Sequence, residues 1–342
     1  MEHRQLGRTG VSVSKLCLGA MMFGDWGNKD HDDSIRIIDR ALDAGINFID
    51  TADVYSHGES EEIVGKALAG GKRDNVVLAT KVWGQMGDDP NRRGVSRRWI
   101  MQEVENSLRR LNTGWIDLYQ IHRYEPETDI EETLGALTDL VRQGKVRYSG
   151  HSTFPPSAIV EAQWAARDQR LQRYATEQPP YSILVRGVEA EVLPTCARYG
   201  MGVIPWSPLA GGWLTGRYRR NADIPAPTSA ARQRLTARYD LSLPANQRKL
   251  DAAEQLAQLA DEAGIPLIQL AIAFVANHPA VTAPIIGPRT MEQLEGQLPA
   301  ADLVLDRSLL DRIDEIVPPG TNINPADGGW ANPALEPAAR RR

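Results

Sequence analysis

The chain has 342 residues, of which 42% are hydrophobic and 24% charged, with a formal net charge of -5. This balance supplies a substantial core and excludes a disordered chain, and the lack of a basic excess points away from nucleic acid and anionic membranes as partners. Cys17 and Cys196 stand far apart inside apolar segments, as buried reduced thiols would. The N-terminus carries no charged-then-apolar leader pattern and no apolar run approaches a membrane span, so a cytoplasmic protein is expected.

In chain order, residues 4–12, with Gly7, Gly10 and Ser12, predict a small hairpin leading into a first core strand, Lys15 to Gly19. Acidic residues at 30, 32 and 33 open a helix with Ile35, Ile38 and Leu42 on its apolar face, stopped by Gly45. Strand Ile46 to Ile49 follows, then a helix Glu59 to Leu68 ended by Gly70 and Gly71, and strand Val76 to Lys81. After Ser96, Ile100, Val104, Leu108 and Leu111 keep helical spacing. Strand Trp115 to His122 precedes a helix Asp129 to Gln143 that Gly144 closes. Strands Val146–Gly150, Tyr174–Gln178 and Gly202–Trp206 alternate with helices near 156–168 and 188–199. Helices near 249–263 and 266–277, an eighth strand at Ala283–Ile286, a helix from Thr290 and another near 307–316 complete the chain.

Eight strands alternating with helices predict a parallel sheet with helices outside. The segment after the first strand reads Gly19-Ala20-Met21-Met22-Phe23-Gly24 and lacks the dinucleotide fingerprint of an open sheet. Gly65-Lys66 fails as a phosphate loop, because the position five before Gly65 is Ser60. The eight-unit count therefore favours a closed (β/α)8 TIM barrel spanning residues 1–342 as one domain. Long stretches at Trp83–Val95 and Ala210–Asn246 follow strand ends and are expected over the C-terminal face. The tail, about 326–342 and ending in three arginines, is expected to be mobile.

In a barrel the C-terminal ends of all strands open onto one rim, so Asp50, Tyr55, Lys81 and His122 should meet there. Singly each has a bland reading: a turn cap, a packing phenol, a snorkelling lysine, a hydrogen-bonded core histidine. Together they suit proton delivery to a carbonyl oxygen. A free tyrosine, with a pKa of about 10, exchanges its proton poorly near neutrality, whereas a neighbouring ammonium favours the phenolate. A carboxylate aims that ammonium, and an imidazole can orient the carbonyl. Nothing in the set supplies electrons, which implies a hydride-donating cofactor.

Asp50-Thr51-Ala52-x-x-Tyr55, Ala79-Thr80-Lys81 and Gln120-Ile121-His122, with Leu6-Gly7-Arg8-Thr9-Gly10 upstream, resemble the aldo-keto reductases over nearly the whole chain. The resemblance implies the (β/α)8 barrel, NADP(H) bound without a Rossmann domain, a small carbonyl substrate, and Tyr55 as general acid assisted by Lys81 and Asp50, with His122 orienting the carbonyl. It further implies that Ala20, Met21 and Asp50 line the cofactor, that Ser152, Thr153 and Gln178 lie at the nicotinamide amide, and that Trp206 lies against its face. Ser207, Leu209, Gly211 and Arg217 fall where the pyrophosphate is cradled. Gly287 and Arg289 open a helix placed to take the 2′-phosphate of NADPH, with Gln293 and Gln297 on the adenine side. Thr153 and Gln297 stand where many members have asparagine. Trp26, Trp83, Tyr55 and His122 are the expected substrate pocket.

Two other readings stay open at this point. A branch of the same family binds potassium channels while retaining the barrel and NADP(H), which would make the chain a cofactor-sensing subunit with slow turnover. A metal-dependent hydrolase would use His151 with His122 and Asp50, but the chain lacks the His-x-His of such barrels, and no metal is expected. The substrate and the oligomeric state are not legible.

Overall fold

The computed structural model describes residues 1–220 and 235–340. The middle of the long stretch predicted at Ala210–Asn246 and the last two arginines lie outside the described residues. A hairpin of β1 (His3–Gln5) and β2 (Ser12–Ser14) precedes eight parallel strands: β3 (Cys17–Gly19), β4 (Phe48–Asp50), β5 (Val77–Val82), β6 (Ile116–Ile121), β7 (Val146–Ser152), β8 (Tyr174–Gln178), β9 (Gly202–Val203) and β10 (Ile285–Ile286). Their order is β10-β3-β4-β5-β6-β7-β8-β9. The ring closes where Thr282 N–H donates to Val203 O at 2.8 Å and Ile285 N–H to Pro205 O at 2.8 Å. The fold is the predicted (β/α)8 barrel.

Six helices each follow a strand: α1 (His31–Asp43), α2 (Glu59–Ala67), α3 (Arg97–Arg110), α4 (Ile130–Arg142), α5 (Pro156–Asp168) and α6 (Val192–Tyr199). Further along come α7 (Thr236–Tyr239), α8 (Pro244–Glu262), α9 (Leu267–Ala276), α10 (Met291–Gln297) and α11 (Arg307–Ile316). Their starts follow sequence chemistry. Asp30 caps α1 by accepting from Asp33 N, and Ser96 caps α3 by accepting from Trp99 N. Pro244 opens α8 five residues earlier than the apolar spacing predicts, because proline at the first turn has no N–H to leave unsatisfied. Among the described residues no single helix is long and apolar enough to cross a membrane.

Strand alternation divides the core in two. Outward residues such as Leu18, Ile49, Leu78, Tyr119 and Ile121 pack under the helices, while Cys17, Phe48, Ala79, Leu118, Ile204 and Ala283 fill the barrel. Leu6 and Val13 of the hairpin join the inner cluster and plug the N-terminal end. The hairpin fits closely: Gly7 has φ +57°, and a Cβ there would stand 2.6 Å from Gly202 N. Both cysteines are buried and unpaired.

Candidate active site

The same two-residue period that fills the barrel with Phe48, Ala79 and Leu118 places Asp50, Lys81 and Gln120 one layer higher. Strand register aligns Asp50 with Ala79 and Lys81 with Gln120, so these polar side chains converge at the C-terminal mouth. Lys81 is fully buried, and its Nζ donates to Asp50 Oδ1 at 2.5 Å, Thr51 O at 2.8 Å and Tyr55 Oη at 3.2 Å. Burial opposes the lysine charge, but the Asp50 carboxylate and the Tyr55 oxygen outweigh it and hold the pKa above its ordinary value. Asp50 is fixed through its other oxygen, which accepts from Gln120 Nε2 and Gln178 Nε2, both at 2.9 Å.

Tyr55 opens a short turn, Tyr55–Gly58, and its ring meets His122 edge-on, with centroids 5.6 Å apart and planes at 82°. His122 follows the end of β6, where its N–H donates to Val82 O. Burial, reinforced by Lys81 and Arg123, pushes the imidazole pKa well below its ordinary value, so the ring is neutral. Trp26 stands 6.1 Å from Tyr55, ring to ring, and forms one wall. Trp83 is held differently: its Nε1 donates to Glu125 Oε2 at 3.1 Å and its ring packs on the helix-side core.

A family model for the aldo/keto reductases matches residues 15–318. The chain is 41% identical to the uncharacterized oxidoreductase YrpG of Bacillus subtilis, over 96% of this chain and 100% of that one. It is 36% identical to a probable voltage-gated potassium channel subunit beta of Arabidopsis thaliana, over 93% and 97% of the two chains. It is also 34% identical to versiconal hemiacetal acetate reductase of Aspergillus parasiticus, over 92% and 96%. The chain belongs to the aldo/keto reductase family.

As an aldo/keto reductase it is an oxidoreductase of a family that reduces carbonyl compounds with nicotinamide cofactors. The residues around the tetrad fit such a group. Ser152 Oγ donates to Gln178 O at 2.8 Å, and Trp206 Nε1 donates to Thr153 Oγ1 at 3.3 Å, so all four predicted nicotinamide-side residues form one polar wall. Ser207 and Gly211 take φ values of +62° and +67°, turning the backbone sharply beside that wall, and Gly211 N–H donates to Ser207 Oγ at 2.9 Å. Leu209 lies between them, and its carbonyl accepts from Gly212 and Leu214. Arg217 is exposed and bonded only to Thr215 Oγ1 among the described residues.

On the far side, Arg289 and Gln293 are joined by an Arg289 N–H to Gln293 Oε1 bond of 2.8 Å, next to exposed Gly287. Gln297 is buried with its Oε1 unpartnered among the described residues. Ala20 is buried, its N–H donating to Asp50 O, while Met21 is exposed at the mouth.

The side chains missed from the sequence are Gln120, Arg123 and those of the tail. Gln120 was signalled by its place two residues before His122 on one strand face. Arg123 donates through Nη1 to His122 O at 3.0 Å and Thr153 Oγ1 at 3.0 Å. In the tail, Asp327 is buried against Arg238 at 2.5 Å and Lys249 at 2.7 Å, and a Cβ on Gly329 would stand 2.9 Å from both Thr153 and Trp206. The first part of the predicted mobile tail is thus bonded across the mouth. His151 points away from His122 and Asp50: it lies between Phe154 and Tyr174 on the helix side, with its Nδ1 against the Glu177 carboxylate. Among the described residues no group of three metal-binding side chains is assembled.

Proposed function

We propose that the protein reduces aldehydes or ketones to alcohols with NADPH, reversibly, with Tyr55 as general acid. The observation that carries this reading is the saturation of Lys81, whose three N–H donors go to Asp50, Thr51 and Tyr55. Because the Tyr55 oxygen accepts from Lys81, its own hydrogen is left for another acceptor in the cleft. A carbonyl oxygen gaining negative charge is such an acceptor, and the phenolate formed by giving up the proton is stabilised by the ammonium 3.2 Å away. Neutral His122, edge-on to Tyr55, has one ring N–H to offer the same oxygen and orients the carbonyl. Asp50 keeps Lys81 charged and aimed, and Gln120 and Gln178 keep Asp50 in place.

When bound, the nicotinamide cofactor supplies the hydride. Ser152, Thr153, Gln178 and Trp206 would hold its nicotinamide end, Ser207, Leu209, Gly211 and Arg217 its pyrophosphate, and Arg289 with Gln293 and Gln297 its adenosine end. Arg289 favours NADPH, since a guanidinium suits a phosphate dianion. The two buried free thiols accord with a reducing, cytoplasmic setting.

The test is NADPH consumption by the purified protein over aromatic, aliphatic, sugar and dicarbonyl substrates, with Tyr55→Phe beside it. Turnover that falls by roughly 10²- to 10⁴-fold in Tyr55→Phe, with cofactor binding retained, is the expected outcome. A second reading is favoured by the potassium channel subunit relatives: a cofactor-sensing binding subunit. Tight NADPH retention with negligible turnover across the panel would select it.

A further inference from the structure

Among the described residues, several cations withdrawn from water are matched by carboxylates. Arg73 meets Asp117, Arg110 meets Glu61 and Glu103, Arg186 meets Glu189 and Asp314, and Arg238 and Lys249 share Asp327. Arg123 departs from that pattern. It is half-buried at the barrel mouth, directly after His122, and among the described residues it meets no carboxylate. Its hydrogen bonds there all leave from Nη1, to the neutral oxygens of His122 (3.0 Å), Thr153 (3.0 Å) and Ser152 (3.5 Å). Nε and Nη2 keep their donors free within that set, and the guanidinium carbon lies 5.8 Å from the Trp206 ring centre.

A guanidinium withdrawn from water without a counter-charge is unfavourable, and burial does lower the Arg123 pKa, opposed by Tyr55 and Glu177. Glu177 does not neutralise it, being held by His151 and by the Thr153 N–H at 2.9 Å. The planar fork of arginine matches a carboxylate or phosphate, two oxygens to two N–H groups. Held between His122 and Trp206, the unmatched part of that fork belongs to the same mouth as the tetrad.

We propose that Arg123 is a specificity determinant that recognises an anionic oxygen group, carboxylate or phosphate ester, carried by the carbonyl substrate itself. The inference rests on the reductase reading and narrows its substrates to aldehydes or ketones bearing an acid. Nη1 stays with the His122 and Thr153 oxygens while Nε and Nη2 take the substrate anion. The anion then anchors the substrate beside the imidazole that orients its carbonyl.

The experiment compares wild type, Arg123→Gln and Arg123→Lys on succinic semialdehyde, glyceraldehyde 3-phosphate and butanal, by NADPH consumption. In parallel, titration calorimetry follows succinate and 3-phosphoglycerate binding to the NADP+-loaded protein. The ratio of kcat/KM for the preferred anionic aldehyde to that for butanal should fall by roughly 10- to 100-fold in Arg123→Gln, with partial recovery in Arg123→Lys. The matching non-reactive anion should lose binding in step, and which anion does so separates carboxylate from phosphate. An unchanged ratio, or anion binding equal in wild type and Arg123→Gln, overturns the proposal. If no carbonyl turns over but succinate or phosphoglycerate binding still depends on Arg123, the anion site stands and the reductase reading falls. If neither anion binds wild type and nothing turns over, both fall.

Discussion

At the scale of single residues Lys81 and Asp50 are each held by named hydrogen-bond partners, and this makes substitutions readable. Arg289→Ala should weaken NADPH binding by roughly 10- to 100-fold while NADH binding changes far less. Fluorescence titration of the two cofactors measures both, and equal losses would remove the 2′-phosphate assignment. Asp50, Tyr55, Lys81 and His122 were legible in the sequence because polar side chains at the ends of apolar strands need a partner or a task. Gln120 entered only within the Gln120-Ile121-His122 motif and was given no role, since a glutamine inside a strand carries no reactive group, and its value lies in the 2.9 Å bond that orients Asp50. Arg123 was hidden for a different reason. An arginine after a strand ordinarily reads as a solvated charge, and only the neighbours of its guanidinium show otherwise.

Among the elements, the loop bearing Tyr55 places Asp53 beside a buried acidic cluster of α2 and α3. Asp53, Glu61 and Glu103 are all fully buried, and Arg110 bonds Glu61 and Glu103. Among the described residues the Asp53 carboxyl binds only the Val54 N–H, with Oδ2 unpartnered. Burial raises the Asp53 pKa well above the ordinary carboxylate value, and the charges of Glu61 and Glu103 add to it. A carboxyl whose folded pKa is raised binds more protons folded than unfolded. Its contribution to stability is therefore full below the unfolded pKa and lost as pH rises through the folded one. Asp53→Asn should accordingly stabilise the protein at neutral pH by about 1–2 kcal/mol, the gain shrinking as pH falls toward the ordinary aspartate range. Thermal melts of both proteins across pH would show it, and a gain independent of pH would contradict the cause given. The number and order of elements were also legible, but strands seven and eight are shorter than the predicted Gly202–Trp206 and Ala283–Ile286. Pro205 and Pro284 fall inside those ranges and have no N–H to give to a ladder.

For the whole molecule, the eight-unit count was enough to predict closure, because short right-handed crossovers leave few alternatives. The plugging of the barrel by its hairpin was not legible, since Leu6 and Val13 are too few to declare which core they join. Leu6 is fully buried among Phe48, Ala79 and Leu118, so Leu6→Ala should cost about 2–5 kcal/mol. Urea unfolding should show that loss, with NADPH affinity unchanged because the plug lies at the end away from the tetrad. A loss below 1 kcal/mol would mean that the hairpin is dispensable to the inner core.

The tail crossing the mouth has a practical consequence for anyone handling the protein. Gly329 rests on Thr153 and Trp206, and Asp327 two residues earlier is clasped by Arg238 and Lys249. A purification tag joined after Arg342 would hang from that clasp and load the very surface that an assay reads, whereas one joined before Met1 would trail from the sealed floor. The two preparations would share every side chain and still differ in how readily ligands enter and leave, so the choice of cloning vector is itself an experimental variable.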